Sequence, residues 1–353
     1  MRIPPGRLLS AALAFLLLST AVSETGAQEA RRRWERMCQI RKDKFDLILP
    51  EVMRENGIDM WITTVREGDY GPLYEDLGRG YPSSLGFYVF TDRGGDRIER
   101  AALGVGGYLL EECGAYDIVT GSTDLASFVE ERDPDRLGVN MSRSIGAADG
   151  LSHTSYETLL EQLGEPHRSR LVSADKLVSD FRSRRVVTEV AAFAEAGEIS
   201  REIAERAFSN EVITPGVTAL EDVAWWIMDQ RLERGLDTSF DKPSIYITGP
   251  EGIEATSNDR IIQRGDLIMI DWGVGFLNMY TDMKRIAYVL KPGETEVPPG
   301  IQHAFDQGRR VREVIRNNIK PGLTAAETLE VLNQRIAEAG FQVMEEFNVT
   351  SDT

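Results

Sequence analysis

Residues 266–290, DLIMIDWGVGFLNMYTDMKRIAYVL, place two acids inside runs that otherwise read as buried strands. Alternation along the first run puts Asp271 on the same face as Leu267 and Met269, while Ile268, Ile270 and Trp272 take the other face. Asp282 follows eleven positions later, at the start of a second such run. Because an ionised carboxylate among apolar neighbours is costly, this pattern predicts a compensating partner for each acid.

The segment between the two acids contains Gly273 and Gly275, and it can turn the chain back on itself. The second strand would then bring Asp282 beside Asp271. Adjacent carboxylates repel each other unless they share a proton or a cation. Divalent metals with oxygen ligands are the common solution. The alternative is that Asp271 caps a strand end and Asp282 lies in solvent at a turn, and the pair alone leaves both interpretations open.

Composition and charge restrict the class of protein. The chain of 353 residues is long enough for about two domains, and its 42% hydrophobic and 27% charged residues are typical of a globular protein. Acidic residues outnumber basic ones by 57 to 40, which gives a net charge of −17. This balance argues against nucleic acid as a partner and against an anionic membrane surface.

The N-terminal segment has the three-part pattern of a secretory signal peptide. Arg2 and Arg7 precede an apolar core at 8–22, and small residues end in Thr25-Gly26-Ala27. We therefore predict that residues 1–27 direct export to the periplasm or the extracellular space; an uncleaved anchor is the alternative. In an exported protein the two cysteines, Cys38 and Cys113, could pair, although their spacing cannot show contact.

The periodicity changes near residue 180. From 28 to 180 strand-like and helix-like segments alternate, which is typical of an α/β domain. From 181 onward long helical segments surround three strand-like runs, PSIYIT, DLIMIDWGV and MKRIAYVL. Two of these helices follow a Pro-Gly-x-Thr sequence, and we predict capping boxes of Thr218 with Glu221 and of Thr324 with Glu327. The fold class is therefore α+β, with domains at 28–180 and 181–353.

The stretch RGDLIMIDWGVGFLNMYTDMKRIAYVL resembles a segment of the pita-bread metallopeptidases, the family of methionine aminopeptidase, Xaa-Pro aminopeptidase, prolidase and creatinase. The spacing of Asp271 and Asp282 and the position of Arg285 match that pattern. Segments around DFRSRRVVTEV, TPGVTALEDV, PSIYITGPEG and KPGLTAAETL are similar to further family segments in the same order. The resemblance implies a creatinase-type N-terminal domain followed by a pita-bread catalytic domain.

By this resemblance the protein is a metal-dependent aminopeptidase or dipeptidase of the Xaa-Pro type that hydrolyses peptide substrates through a metal-bridging hydroxide. Asp271 would bind one of two divalent ions and Asp282 would bridge both. Manganese, cobalt, zinc and iron all suit such ligands. The resemblance also implies a homodimer. A metal-free, creatinase-like C–N hydrolase and a non-catalytic, peptide-binding pseudo-enzyme are the alternatives.

The sequence departs from the family pattern in two places. The family uses a His and two Glu downstream of the aspartates, whereas His303 lies in an ordinary helix and Glu345 and Glu346 come in the wrong order. We therefore expect an incomplete catalytic domain in this chain, with the His/Glu/Glu ligands missing. The family also has a substrate-contacting His before the first Asp, where this sequence has Thr256 or Asn258.

Overall fold

The computed structural model describes residues 28–249, 252–254 and 257–342. Contacts group these residues into two units. The first unit holds the described part of Met1–Glu198 together with Gly275–Tyr280, and the second holds the described parts of Ile199–Val274 and Thr281–Thr353. The predicted signal peptide, residues 1–27, lies outside the described residues.

The first unit alternates helices and strands, as the sequence predicts. Its helices are α1 (Glu29–Asp43), α2 (Leu49–Glu55), α3 (Tyr74–Leu77), α4 (Tyr108–Cys113), α5 (Leu125–Arg132), α6 (His153–Leu163), α7 (Asp175–Ser183) and the first part of α8 (Val187–Ala207). A π-helical turn at Lys44–Ile48 joins α1 to α2. Short 3₁₀ turns occur at Gly146–Ala148 and His167–Arg170.

A six-stranded mixed sheet forms the centre of the first unit, with the strand order β4-β3-β2-β1-β5-β6. Its strands are β1 (Met60–Val65), β2 (Tyr81–Asp92), β3 (Ile98–Gly106), β4 (Ile118–Thr120), β5 (Leu137–Val139) and β6 (Leu171–Ser173). β1, β2 and β3 pair antiparallel, whereas β4, β5 and β6 each pair parallel with a neighbour. Because every residue of β1 is buried, the sheet must be covered on both faces.

The two faces carry separate apolar cores. On one face the ring of Trp61 stacks on Phe90, with centroids 5.1 Å apart, and Phe45 and Phe181 complete an aromatic cluster. Met60, Ile62, Phe87 and Val89 belong to the core on the other face. Cys38 of α1 and Cys113 of α4 form a disulfide at the edge of the aromatic core, with Cα atoms 5.4 Å apart.

The second unit contains helices α9 (Leu220–Glu233), α10 (Pro299–Asn318) and α11 (Ala325–Glu338), besides the end of α8. Its strands are β7 (Asp237–Thr238), β8 (Ser244–Gly249), β9 (Gly252–Ile253), β10 (Leu267–Trp272) and β13 (Met283–Tyr288). β10 is central in an antiparallel sheet with the order β13-β10-β8-β9. Between β10 and β13 the chain forms two short strands, β11 (Val274–Phe276) and β12 (Met279–Tyr280).

The two predicted capping boxes had different outcomes. Thr324 caps α11 as predicted: its hydroxyl accepts from Glu327 N at 3.2 Å, and Glu327 Oε2 accepts from Thr324 N at 2.8 Å. The box at Thr218 is wrong by one residue, because α9 begins at Leu220 and Ala219 is its N-cap. There Asp222 accepts from Ala219 N at 2.8 Å, while Thr218 Oγ1 turns back to accept from Thr214 N.

Within the described ranges, no helix has both the length and the apolar character needed to cross a bilayer.

Candidate functional site

Strand β10 shows the predicted alternation, and this places Asp271. Ile268, Ile270 and Trp272 are buried, whereas the residues between them are only partly covered. Asp271 shares this second face, and its side chain is 28% exposed. The carboxylate therefore lies on the half-open face of the sheet and not within the apolar core.

The turn after β10 is tight because residue 273 is glycine. A Cβ at Gly273 would overlap the carbonyl oxygen of Thr281, which also accepts a hydrogen bond from Ser239 Oγ at 2.6 Å. The Thr281 hydroxyl is buried; it accepts from Val274 N at 2.9 Å and lies 2.7 Å from Ser200 Oγ. This network fixes the residue that immediately precedes Asp282.

Lys284 connects the two predicted aspartates. It lies directly opposite Asp271 in the antiparallel register of β10 and β13. Its Nζ is 3.2 Å from Asp271 Oδ1 and 2.5 Å from Asp282 Oδ1. Asp282 is 63% exposed and Lys284 is 49% exposed, so the cluster opens to solvent. The structure thus brings both aspartates to one cation, a lysine ammonium, and their predicted role as metal ligands stays a prediction.

Electrostatics within this cluster favour a positive charge between the acids. The hydrogen bond to Asp282, and then the close contact with Asp271, raise the pKa of Lys284 above its ordinary value of 10.5. Asp271 Oδ1 is itself buried and has no hydrogen bond of good geometry, because the ammonium meets it only as an ion pair. One oxygen of Asp271 therefore has unused capacity to bind a cation.

The two carboxylates fit a divalent cation as ligands. They offer hard oxygen donors, one of which lacks a hydrogen bond, and they already converge on one positive charge. Among the residues that the structure describes, however, no group of three or more His, Cys, Asp or Glu side chains could hold a metal. Asp271 and Asp282 thus offer two carboxylate ligands to a divalent cation, and the described residues do not complete a metal site around them.

Sequence reasoning missed Lys284, although a signal was present. Side chains two positions apart in a strand share a face, so Lys284 follows Asp282 on the same side of the chain. The other candidates lie elsewhere: His303 is exposed on α10, and Arg285 is exposed and donates to the Lys284 carbonyl. Asn258 uses its backbone carbonyl to accept from Glu221 N. Thr256, Glu345 and Glu346 lie outside the described residues.

The chain thus combines an α/β first unit with a second unit of helices and antiparallel strands, in which Asp271 lies on β10 and Asp282 lies immediately before β13. Residues 191–349 match the Peptidase_M24 profile, described as metallopeptidase family M24. This match agrees with the predicted family resemblance and supports a hydrolase. Comparison with curated proteins found no match.

Three solved structures have a fold similar to that of this chain. An Xaa-Pro dipeptidase from Bacillus anthracis has a TM-score of 0.55 at 18% identity, over 86% of this chain and 78% of its own. An X-Pro aminopeptidase from Thermotoga maritima MSB8 has a TM-score of 0.57 at 16% identity, over 82% and 78%. The prolidase from Pyrococcus horikoshii OT3 has a TM-score of 0.51 at 20% identity, over 85% and 78%. They support the predicted α+β fold class.

Proposed function

We propose that the protein is a metal-dependent aminopeptidase or dipeptidase of the Xaa-Pro type, acting on short peptides. The family of residues 191–349 supports a peptidase, and the names of the similar structures support the Xaa-Pro class. The observation that carries the metal is the convergence of Asp271 and Asp282 on one positive charge. Manganese, cobalt, zinc and iron ions are all compatible with these donors.

Each residue of the cluster has a distinct part in this proposal. Asp271 and Asp282 hold the cation, Gly273 lets the strand ends approach, and Thr281 fixes the backbone before Asp282. Lys284 offsets one of the two negative charges, and its half-exposed ammonium can swing into solvent when a metal ion binds. A divalent ion held here would supply Lewis-acid polarisation of the scissile carbonyl and an activated water.

Lys284 also favours a second candidate function. Its ammonium already contacts both carboxylates and offsets one of their two negative charges, so the chain alone supplies a cation to the cluster. A protein that keeps this arrangement would be a metal-free, creatinase-like C–N hydrolase or a peptide-binding pseudo-enzyme. The two functions differ in whether a divalent ion displaces the lysine.

Metal binding distinguishes the metal-dependent peptidase from the metal-free alternatives. We would titrate the chain with Mn²⁺ and Zn²⁺ by isothermal calorimetry and repeat this with Asp271→Asn, Asp282→Asn and Lys284→Met. Loss of either carboxylate should weaken binding at least roughly tenfold. Lys284→Met should tighten it roughly two- to fivefold, because the exposed ion pair that competes is worth only about 0–1 kcal/mol. Asp180→Asn, which removes the partner of Lys176 at 2.8 Å in the first unit, is the matched control.

The outcomes separate the candidates clearly. Binding that is lost with either aspartate and unaffected by Asp180→Asn supports the peptidase. If neither the unchanged chain nor Lys284→Met binds a divalent ion, Asp271 and Asp282 do not hold a metal in this chain, and the metal-free alternatives are favoured. Hydrolysis of an Xaa-Pro dipeptide against a small C–N substrate such as creatine then distinguishes the remaining alternatives.

We also propose export and self-association for this protein. Residues 1–27 have the signal-peptide pattern, and a disulfide in the first unit suits an oxidising compartment. Protein N-terminal sequencing of the exported fraction tests the cleavage after Ala27. Sedimentation of the purified chain tests the homodimer.

A further inference from the structure

A cavity in the first unit is separate from the aspartate cluster. It has a volume of about 500 Å³, within the range of small-molecule sites. Residues of α3, α7 and the start of α8 line it, together with the tip of the hairpin at Asn278–Tyr280. The lining also includes Ala147 of the 3₁₀ turn at Gly146–Ala148, so five segments of the first unit contribute to it.

Asp76 contributes an unsatisfied acceptor to this cavity. Its Oδ1 accepts from Asn278 Nδ2 at 3.2 Å, which ties α3 to the hairpin. Its Oδ2 is buried and has no hydrogen bond. The nearest cation is Arg182, whose Nε lies 3.4 Å from Oδ2 without hydrogen-bond geometry. Because a buried carboxylate oxygen without a donor is costly, the cavity favours a ligand that brings one.

Arg182 contributes the complementary charge. Its side chain is 35% exposed, and its only ion pair within the described ranges is the loose contact with Asp76. The neighbouring ion pair of Arg185 and Glu189 is hydrogen-bonded, unlike that of Arg182 and Asp76. Arg185 donates to Glu189 Oε1 at 3.0 Å, and Val186 N donates to Glu189 Oε2 at 3.0 Å. Asp76 Oδ2 and the Arg182 guanidinium thus place one carboxylate oxygen and one cation side by side in the lining.

The remaining wall is apolar and partly open. Phe193 is 49% exposed, Val190 is 57% exposed and Tyr280 is 44% exposed, while the buried Val178 forms part of the lining. Exposed apolar side chains that line a concave surface favour a ligand with an apolar body.

We propose that this cavity binds a free α-amino acid with an apolar side chain. The ligand's ammonium would donate to Asp76 Oδ2, its carboxylate would accept from Arg182, and its side chain would pack on Phe193 and Val190. An amino acid carries both charges on one carbon, which suits protein charges only 3.4 Å apart. The Asp76 carboxylate would repel a simple anion and the Arg182 guanidinium would repel a simple amine, so neither ligand complements both groups.

Ligand-observed NMR on the 353-residue chain tests this proposal with four probes. L-Phenylalanine has all three groups, 3-phenylpropionate lacks the ammonium, phenethylamine lacks the carboxylate and glycine lacks the side chain. We expect saturable binding of phenylalanine only, with each of the other probes at least roughly tenfold weaker, since hydrogen bonds to charged groups are worth about 1.5–3 kcal/mol. Equal binding of 3-phenylpropionate or phenethylamine would overturn the two-charge site.

Variants locate the bound ligand. Asp76→Asn and Arg182→Gln should each weaken phenylalanine binding roughly tenfold or more. Arg97→Gln, which removes an exposed guanidinium 2.8 Å from Asp117, should leave binding unchanged. Because Asp76 also holds Asn278, Arg182→Gln is decisive if Asp76→Asn fails to fold. If Asp271→Asn abolishes phenylalanine binding and Arg182→Gln does not, the ligand lies at the aspartate cluster and the cavity proposal is rejected. Absence of phenylalanine binding to the unchanged chain would also reject it.

Discussion

Lys44 in the first unit and Lys284 in the second each hold an ammonium among oxygen atoms, but only Lys44 is buried. The Lys44 side chain is 5% exposed and its partner Glu189 is 4% exposed, with Nζ 3.4 Å from Oε2. Lys284 is 49% exposed between its two aspartates. The two clusters use the same chemical groups at similar distances and differ mainly in their access to water.

Burial gives the two lysines opposite electrostatic behaviour. Desolvation lowers the pKa of Lys44, whereas the hydrogen bond to Asp282 and the close contact with Asp271 raise the pKa of Lys284. Lys44 also donates to Phe181 O and, at 2.6 Å, to Arg184 O, so it caps the carboxyl end of α7. Its cation cannot be exchanged without opening the unit, whereas the cation between Asp271 and Asp282 can be replaced from solvent.

The largest expected effect follows from breaking the buried cluster. Lys44→Met leaves the buried Glu189 with Arg185 as its remaining cation partner and leaves the carbonyls of Phe181 and Arg184 without this donor. We expect the free energy of unfolding of the first unit to fall by about 3–5 kcal/mol, the cost of removing one partner of a buried pair. Urea denaturation followed by circular dichroism measures it.

Lys176→Met is the control for that experiment. Lys176 pairs with Asp180 at 2.8 Å but is 73% exposed, so its loss should change stability little. If Lys44→Met and Lys176→Met were equally stable, burial would not distinguish the two kinds of cluster.

A smaller effect is expected from the turn that supports the exposed cluster. In Gly273→Ala the added Cβ overlaps the Thr281 carbonyl, and the two strand ends must separate. Overpacking of this kind costs about 1–3 kcal/mol, and the displacement of Asp282 should also weaken Mn²⁺ binding. Denaturation and calorimetry on the same sample measure both. Gly308→Ala in α10 adds a methyl group to open space, so it should be neutral or slightly stabilising.

Local patterns predicted the parts of the molecule that depend on neighbours in sequence. Alternation at 267–272 predicted the face that carries Asp271, and the apolar runs predicted an α/β first unit. The same rule applied to Asp282 and Lys284 would have found the lysine. Local patterns do not explain why residue 273 is glycine. The reason is that a Cβ there would overlap the carbonyl oxygen of Thr281, eight residues away.

Long-range contacts could not be predicted in this way. Cys38 and Cys113 are 75 positions apart, and only the packing of α1 near α4 brings them together. The contact of Asp76 with Arg182 likewise joins segments about a hundred residues apart. The domain boundary near 180 stays a prediction, although contacts within the chain assign the described residues up to Glu198 to the first unit.

The smallest expected effect is a pH dependence that distinguishes the two lysines by sign. Well below pH 10.5 both the folded and the unfolded states keep Lys284 protonated, so its stabilising contribution is fully present. Between 10.5 and the raised pKa the folded state holds a proton that the unfolded state has lost, and stability falls as pH rises. For Lys44 the lowered pKa gives the opposite slope, because the folded state loses its proton first.

We would therefore measure the difference in unfolding free energy between the unchanged chain and Lys284→Met, without metal, from about pH 8 to about pH 11.5. This difference should stay below about 1 kcal/mol, since the pair is half-exposed and screened, and it should shrink at the alkaline end. A difference that grew with pH would show that the carboxylates do not hold the ammonium of Lys284 in the folded chain.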